Sequence, residues 1–255
     1  MIAFPNAKIN LGLRILEKRP DGFHNIETVI YPVALFDVLE IVPSDNNEML
    51  FSFTGLVIPG EISNNLCIKA FHLLSSVFHL PPVKIHLHKV IPTGAGLGGG
   101  SSDGAFTIKL LNDIFSLGLS ENEMMDVARK LGSDCAFFIK NKPQFAYGRG
   151  DQFICSDIDL SRFTIKIVTP GIHISTAEAY RMIDNNKSSG TKTKHVMEII
   201  KMPVSEWNGL LINDFEEAVF ESNPEIERAK NDYYREGALY ASMTGSGSSV
   251  YGIFK

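Results

Sequence analysis

Cysteine is scarce in this sequence, occurring only at Cys67, Cys135 and Cys155. An odd number without metal-ligand spacing excludes a disulfide-stapled scaffold and a cysteine zinc site, and predicts buried free thiols in a reducing compartment. Positive charge is not in excess either: 24 Lys and Arg against 29 Asp and Glu leave a formal net charge of −5. The footprint of a general nucleic-acid binder is therefore missing. No apolar run approaches the length of about 18 residues that would span a bilayer. The opening residues also lack the charged and apolar regions of a secretory signal. Tandem repeats and low-complexity tracts are absent. These absences predict a cytoplasmic protein that works on neither membrane nor nucleic acid; a monomer or weak homodimer is expected, though nothing in the composition fixes the oligomeric state.

What the chain does have is a concentration of glycine. Gly94, Gly96, Gly98, Gly99 and Gly100 fall in the run Pro92-Thr93-Gly94-Ala95-Gly96-Leu97-Gly98-Gly99-Gly100-Ser101-Ser102-Asp103. An alternating apolar stretch, Val83 to Val90, precedes it, and helical spacing from Ala105 to Phe115 follows. Glycines between a strand and a helix start can turn several N–H groups towards one point, where the positive end of the helix dipole adds to them. That combination binds phosphate. Ser101 and Ser102 are expected to cap the helix. The run is not a P-loop, because no Gly-Lys-Ser/Thr closes it. It is a poor dinucleotide fingerprint, because the acidic residue due about 20 positions on falls in a polar helix start. A plain linker is seldom bracketed by a strand and an amphipathic helix.

The first 90 residues otherwise read as β with one helix. Ala3 to Leu16 alternates as a half-buried strand, which puts Lys8 and Asn10 on one face; on periodicity alone Lys8 is a solvated lysine. Pro20-Asp21-Gly22 is a turn, followed by Phe23-His24 and a strand from Ile26 to Val33. Phe23-His24 is either hairpin packing or a platform for a planar base. Leu35 to Val42 and Met49 to Phe53 are further strands, and Leu66 to Phe78 is a helix. Beyond the glycines, helices dominate. Ser120 and Glu123 form a capping box for a helix ending near Leu131. Asp134 is a helix N-cap, a reacting carboxylate, or both. Gln144 to Ile154 is a hairpin, and Phe163 to Val168 a strand. Short helices follow at Ala177 to Ile183, Lys194 to Ile200, Asn213 to Glu221 and Glu225 to Arg235, with a polar loop from Asn185 to Thr193. Thr244-Gly245-Ser246-Gly247-Ser248-Ser249 joins two strands, as a tight hairpin or as a second wall of a phosphate pocket.

Three patches together, the Lys8 strand, the Pro92 to Ser102 run and Thr244 to Ser249, resemble the three motifs of the GHMP kinase superfamily. Ala7-Lys8-Ile9-Asn10-Leu11, Asp21-Gly22-Phe23-His24, Ser133-Asp134 and Ser175-Thr176-Ala177-Glu178-Ala179-Tyr180 resemble one of its branches more closely. Members of that branch phosphorylate the 2-hydroxyl of a cytidine-diphosphate-linked methylerythritol in the non-mevalonate route to isoprenoid precursors. The resemblance covers nearly the whole chain. It implies an α+β fold with a ribosomal-S5 domain 2-like N-terminal domain, taken as residues 1–156, and a ferredoxin-like C-terminal α/β domain, residues 157–255, with the active site between them. It further implies a catalytic pair, Lys8 and Asp134. Pro92 to Ser102 would hold the phosphates of ATP, with Mg²⁺ brought by the nucleotide and no protein metal site. Asn10, Phe23, His24, Thr176 and Tyr180 would contact the substrate. Phe23 stands where the family often has tyrosine, Asp103-Gly104 where Asn-Ala or Asp-Ala is usual, and Ser133 where alanine is common. Another kinase of the superfamily, for homoserine or mevalonate, would not need Phe23-His24 or Tyr180. A non-catalytic relative would be expected to lack Lys8 or Asp134.

Overall fold

From Val83 to Lys89 every second residue is buried, so Val83, Ile85, Leu87 and Lys89 share one face of a strand. Three apolar side chains there are the ordinary signature of a half-covered sheet; the lysine in the same phase is not. The computed structural model that shows this describes residues 1–45, 48–185 and 195–255. The polar loop expected at Asn185 to Thr193 lies almost wholly outside the described residues.

The elements run β1 (Ile2–Ala3), β2 (Asn6–Lys18), β3 (His24–Phe36), β4 (Val38–Pro43), β5 (Leu50–Gly55), α1 (Leu66–Phe78), β6 (Val83–Lys89), α2 (Gly99–Ile114), α3 (Glu121–Leu131) and α4 (Cys135–Lys140). They continue with β7 (Gln144–Tyr147), β8 (Gln152–Cys155), β9 (Thr164–Val168), α5 (Thr176–Asn185), α6 (Val196–Ile199), α7 (Glu216–Ser222), α8 (Pro224–Arg235), β10 (Tyr240–Met243) and β11 (Val250–Phe254). This is the α+β class expected. Two compact units interleave along the chain: Met1–Lys8, Pro32–Thr93 and Gly98–Lys142 form one, and Ile9–Tyr31, Gly94–Leu97 and Pro143–Lys255 the other. Among the described residues no helix is long and apolar enough to cross a membrane.

The first unit is built on a sheet in the order β1-β4-β6-β5. Antiparallel pairing sets Leu39 opposite Leu87 and Ile41 opposite Ile85, all four buried. Helix α2 packs on β1 and β4, and α1, α3 and α4 pack on α2. Helix α1 begins where Asn65 accepts the Cys67 N–H at 2.9 Å. Helix α3 begins on the expected box, with the Ser120 N–H donating to Glu123 at 2.8 Å and the Glu123 N–H to Ser120 at 3.4 Å.

The second unit holds a sheet β2-β3-β7-β8, to which β2 and β3 contribute their stretches within Ile9–Tyr31, and a sheet β10-β11-β9. Helix α8 packs on β10 and β11. Ile174, Phe215, Val219, Ile226 and Met243 lie in its core.

Several expectations are corrected. Strand β2 is not half-buried: every residue from Asn6 to Leu13 is buried, Lys8 included. In the second unit, C-terminal residues far away in sequence cover this strand, Tyr251 donating to the Asn10 carbonyl at 2.9 Å. The stretch Leu35 to Val42 is not one strand. It breaks at Asp37, whose carboxylate accepts the N–H groups of Val90 and Ile91 at 2.6 and 2.8 Å. Helix α2 starts at Gly99 rather than Ala105, and Ser101 and Ser102 sit inside its first turn instead of capping it. The cap is Gly98 in the left-handed region, φ 70°, with no side-chain cap bond. Only glycine suits it, since a Cβ would also stand 3.0 Å from the Lys8 stem and 3.1 Å from the Phe138 ring. Helix α7 starts at Glu216 rather than Asn213; the Asn213 side chain lies ahead of it, accepting the Phe215 N–H at 3.0 Å and donating to the carbonyls of Met243 and Gly245, both at 2.9 Å. Cys67 and Cys135 are buried as expected, but Cys155 is exposed.

Candidate active site

In the first unit three features converge at the start of α2. Helix geometry leaves the N–H groups of Gly99, Gly100 and Ser101 without intrahelical acceptors, since the Ser102 N–H is the first to reach back, to the Gly98 carbonyl at 2.9 Å. These groups favour an anion. The stem of Lys8 lies against Gly98, and its ammonium is 3.6 Å from Asp134 Oδ2. Lys8 is 5% exposed and Asp134 is 38% exposed. Asp134 does occupy the N-cap position of α4, but its side chain makes no cap bond. The carboxylate is therefore turned to the lysine rather than spent on the helix. Beside it, burial pushes the Cys135 thiol up to about 12, so no thiolate competes as a nucleophile. Of the remaining residues in this stretch, Ser102 is fully buried and its hydroxyl has no hydrogen-bond partner among the described residues. Pro92 is half-buried and Thr93 exposed.

In the second unit the stretch Gly94–Leu97 is wrapped by Thr244 to Ser249. Thr244 donates to the Gly96 carbonyl at 3.1 Å, and the Ser249 N–H donates to the Ala95 carbonyl at 3.2 Å. A Cβ on Gly96 would collide with the Thr244 carbonyl. The C-terminal loop is thus a hairpin, closed by the Thr244 N–H to Ser249 carbonyl bond at 2.9 Å, that packs on the glycine run. Asn10 joins the same knot: its N–H donates to the Thr244 hydroxyl at 3.0 Å, and its amide to the Thr28 hydroxyl at 3.1 Å. The Thr176 and Ser246 hydroxyls meet at 3.3 Å.

The aromatic residues assemble in the same unit. His24 and Tyr180 stack, 4.9 Å between centroids and 8° from parallel, and Phe215 meets Tyr180 edge-on at 5.0 Å. Phe23 is 57% exposed, which argues against plain packing. Its N–H donates to Asp21 at 3.2 Å, and the Arg149 guanidinium lies over its ring at 5.3 Å.

The sequence reading missed two residues at these places and one buried cluster. Arg149 beside Phe23 and His173 against Gly94 carry no sequence signal of their own. The cluster is Asp37, Lys89 and Asp103, each no more than 2% exposed. Lys89 donates to Asp103 at 2.8 Å and also bonds Asp37. A signal for it existed: a lysine in the buried phase of β6 demands a carboxylate partner.

Comparison with known proteins identifies the family. The family models for the GHMP kinases N terminal domain and the GHMP kinases C terminal match residues 65–142 and 199–255. A 4-diphosphocytidyl-2-C-methyl-D-erythritol kinase from Cytophaga hutchinsonii is 53% identical over 255 residues, covering 100% of this chain and 92% of the relative. One from Bacteroides thetaiotaomicron is 53% identical over 257 residues, with the same two coverages of 100% and 92%. The crystal structure of a 4-(cytidine 5'-diphospho)-2C-methyl-D-erythritol kinase superposes with a TM-score of 0.81 at 28% identity, covering 99% of this chain and 90% of that one. Kinases of this superfamily depend on ATP. On these likenesses, full-length and at high identity, the chain belongs to the 4-diphosphocytidyl-2-C-methyl-D-erythritol kinase family of the GHMP kinases.

Proposed function

We propose that this enzyme transfers the γ-phosphoryl group of ATP to the 2-hydroxyl of 4-(cytidine 5'-diphospho)-2-C-methyl-D-erythritol, in the non-mevalonate route to isoprenoid precursors. Phosphoryl transfer asks a protein mainly for positioning and charge stabilisation. The observation that carries the reading is the pairing of Lys8 with Asp134 at 3.6 Å, with the lysine stem against Gly98, the N-cap of α2. Asp134 accepts the proton of the attacking hydroxyl. Lys8 stabilises the forming alkoxide and the migrating phosphoryl group. Pro92 to Ser102 holds the nucleotide phosphates on backbone N–H groups.

Mg²⁺ fits as an ion carried in on those phosphates, since this ion favours substrate phosphates and waters over all-protein cages. Among the described residues no group of three or more His, Cys, Asp or Glu is placed to hold a metal. On the substrate side, Phe23, His24 and Tyr180 take the cytosine, and Asn10 and Thr176 contact the rest of the molecule. The exposed ring of Phe23 and the His24–Tyr180 stack support this. The same reading makes the protein a cytoplasmic enzyme of small molecules, a monomer or weak homodimer, with family domains 1–156 and 157–255.

The test is ADP release with ATP, Mg²⁺ and one alcohol at a time. Turnover is expected with the cytidyl substrate and not with homoserine or mevalonate. CDP and CMP are expected to raise the melting temperature, as ATP analogues do. Turnover with homoserine or mevalonate in place of the cytidyl alcohol would sink the assignment.

A further inference from the structure

The buried cluster in the first unit is not used by the chemistry above, yet it touches both ends of the nucleotide loop. Asp37 Oδ1 accepts the N–H groups of Val90 and Ile91, the last residues before Pro92. Asp37 Oδ2 takes one bond from Lys89. The same ammonium donates to Asp103 at 2.8 Å, one turn into α2. It also lies 2.9 Å from where a Cβ on Gly99 would stand, and Ile91 lies 2.8 Å from that point. One cation thus ties the strand end at Ile91 to the helix start at Gly99, across the interval Pro92 to Gly98.

A core that needed only stability would do as well with apolar side chains, because the desolvation of a buried ion pair offsets most of its attraction. What ions add is direction: an ammonium with two carboxylates fixes where each bonded segment sits. A loop with both ends fixed loses less conformational freedom when it closes on a ligand. N–H groups held in place before binding also stabilise negative charge without reorganising.

We propose that Lys89, held by Asp37 and Asp103, is a positioning residue for the phosphate loop, setting the first turn of α2 so that its N–H groups meet the nucleotide phosphates. This rests on the reading that the loop takes ATP, which is tested separately by the melting shift of the wild-type enzyme with an ATP analogue and Mg²⁺. Two variants then test the positioning. Lys89→Met removes the cation but leaves two buried carboxylates. Lys89→Met combined with Asp37→Asn and Asp103→Asn removes all three charges and keeps the volume. In it the Asp37→Asn change still offers a side-chain carbonyl to the Val90 and Ile91 N–H groups.

The neutral triple variant is expected to melt cooperatively and to show a KM for ATP raised about tenfold or more by the added ordering cost. Its KM for the cytidyl alcohol should stay within about twofold, because lost preorganisation at the loop acts on the nucleotide alone. A purely structural role would shift the melting temperature and leave the two KM values in their original ratio. A folded triple variant with unchanged KM for ATP overturns the proposal. So does failure of both variants to fold, which would make the cluster a stability device.

Discussion

Lys8 and Lys89 both lie against the start of α2, the first with its stem on Gly98 and the second with its ammonium beneath Gly99. Both side chains are almost fully buried, 5% and 2% exposed. Their partners differ. Asp134, opposite Lys8, is 38% exposed, and its oxygen is 3.6 Å away, too far for a tight bond. The side chains of Asp37 and Asp103, around Lys89, are almost wholly buried and closely bonded. A loose pair with one solvated member can admit a hydroxyl and a phosphate between its charges. A closed cluster has no room for either, so its charges serve the protein's own backbone. On the proposed reading, two residues of one type, a single glycine apart in their contacts, divide into reaction and scaffold.

The comparison breaks most sharply through kinetics. Asp134→Asn and Lys8→Met should each lower kcat by about 10²–10⁴-fold, with melting temperatures close to wild type because Asp134 is already solvated. Full kcat in either variant would remove that residue from the mechanism.

Lys89→Met should do the reverse, losing stability first. Removing one member of a buried ion cluster costs about 3–5 kcal/mol, which for a chain of this size is roughly a 10 °C fall in Tm. A differential scan showing no fall would erase the distinction between the two lysines.

Phe23→Ala touches neither lysine and sharpens the contrast. It should raise KM for the cytidyl substrate by the equivalent of about 1–3 kcal/mol of stacking, leaving KM for ATP unchanged. An unaltered substrate KM would contradict the base platform.

The smallest effect is on pH. Burial pushes the Asp103 carboxyl up to about 7, against the pull of Lys89, with the nearby Asp37 charge adding to the rise. Two carboxylates around one ammonium leave a net negative charge, and a proton on Asp103 cancels it. Its Oδ1, which has no hydrogen-bond partner among the described residues, is the oxygen available to carry that proton. The folded state then holds a proton that the unfolded chain, with an ordinary aspartate, releases near pH 4. Stability from this group is full below about pH 4 and is lost as pH rises towards about 7. Asp103→Asn should flatten that slope in melts taken from pH 4 to 8. An identical slope in the variant would move the proton elsewhere.

Where local rules sufficed, the sequence reading and the structure coincide. Helix α1 spans the predicted Leu66 to Phe78, α3 opens on the Ser120–Glu123 box, and β11 runs from Val250 to Phe254. Capping, periodicity and turn chemistry act within a few residues of chain. The site was legible in part for the same reason: the glycine run, Asp21-Gly22-Phe23-His24 and Thr244 to Ser249 are local patterns. Tertiary contact decided the rest. Lys8 reads as solvated until distant segments bury it, and Asp134 reads as a cap until the lysine draws its carboxylate away. Asp37, Lys89 and Asp103 are ordinary charges in the sequence, 52 and 14 positions apart from lysine to partner. Short-range preference reaches about one helical turn, whereas the electrostatic cost of a buried charge is met by whichever opposite charge the fold delivers.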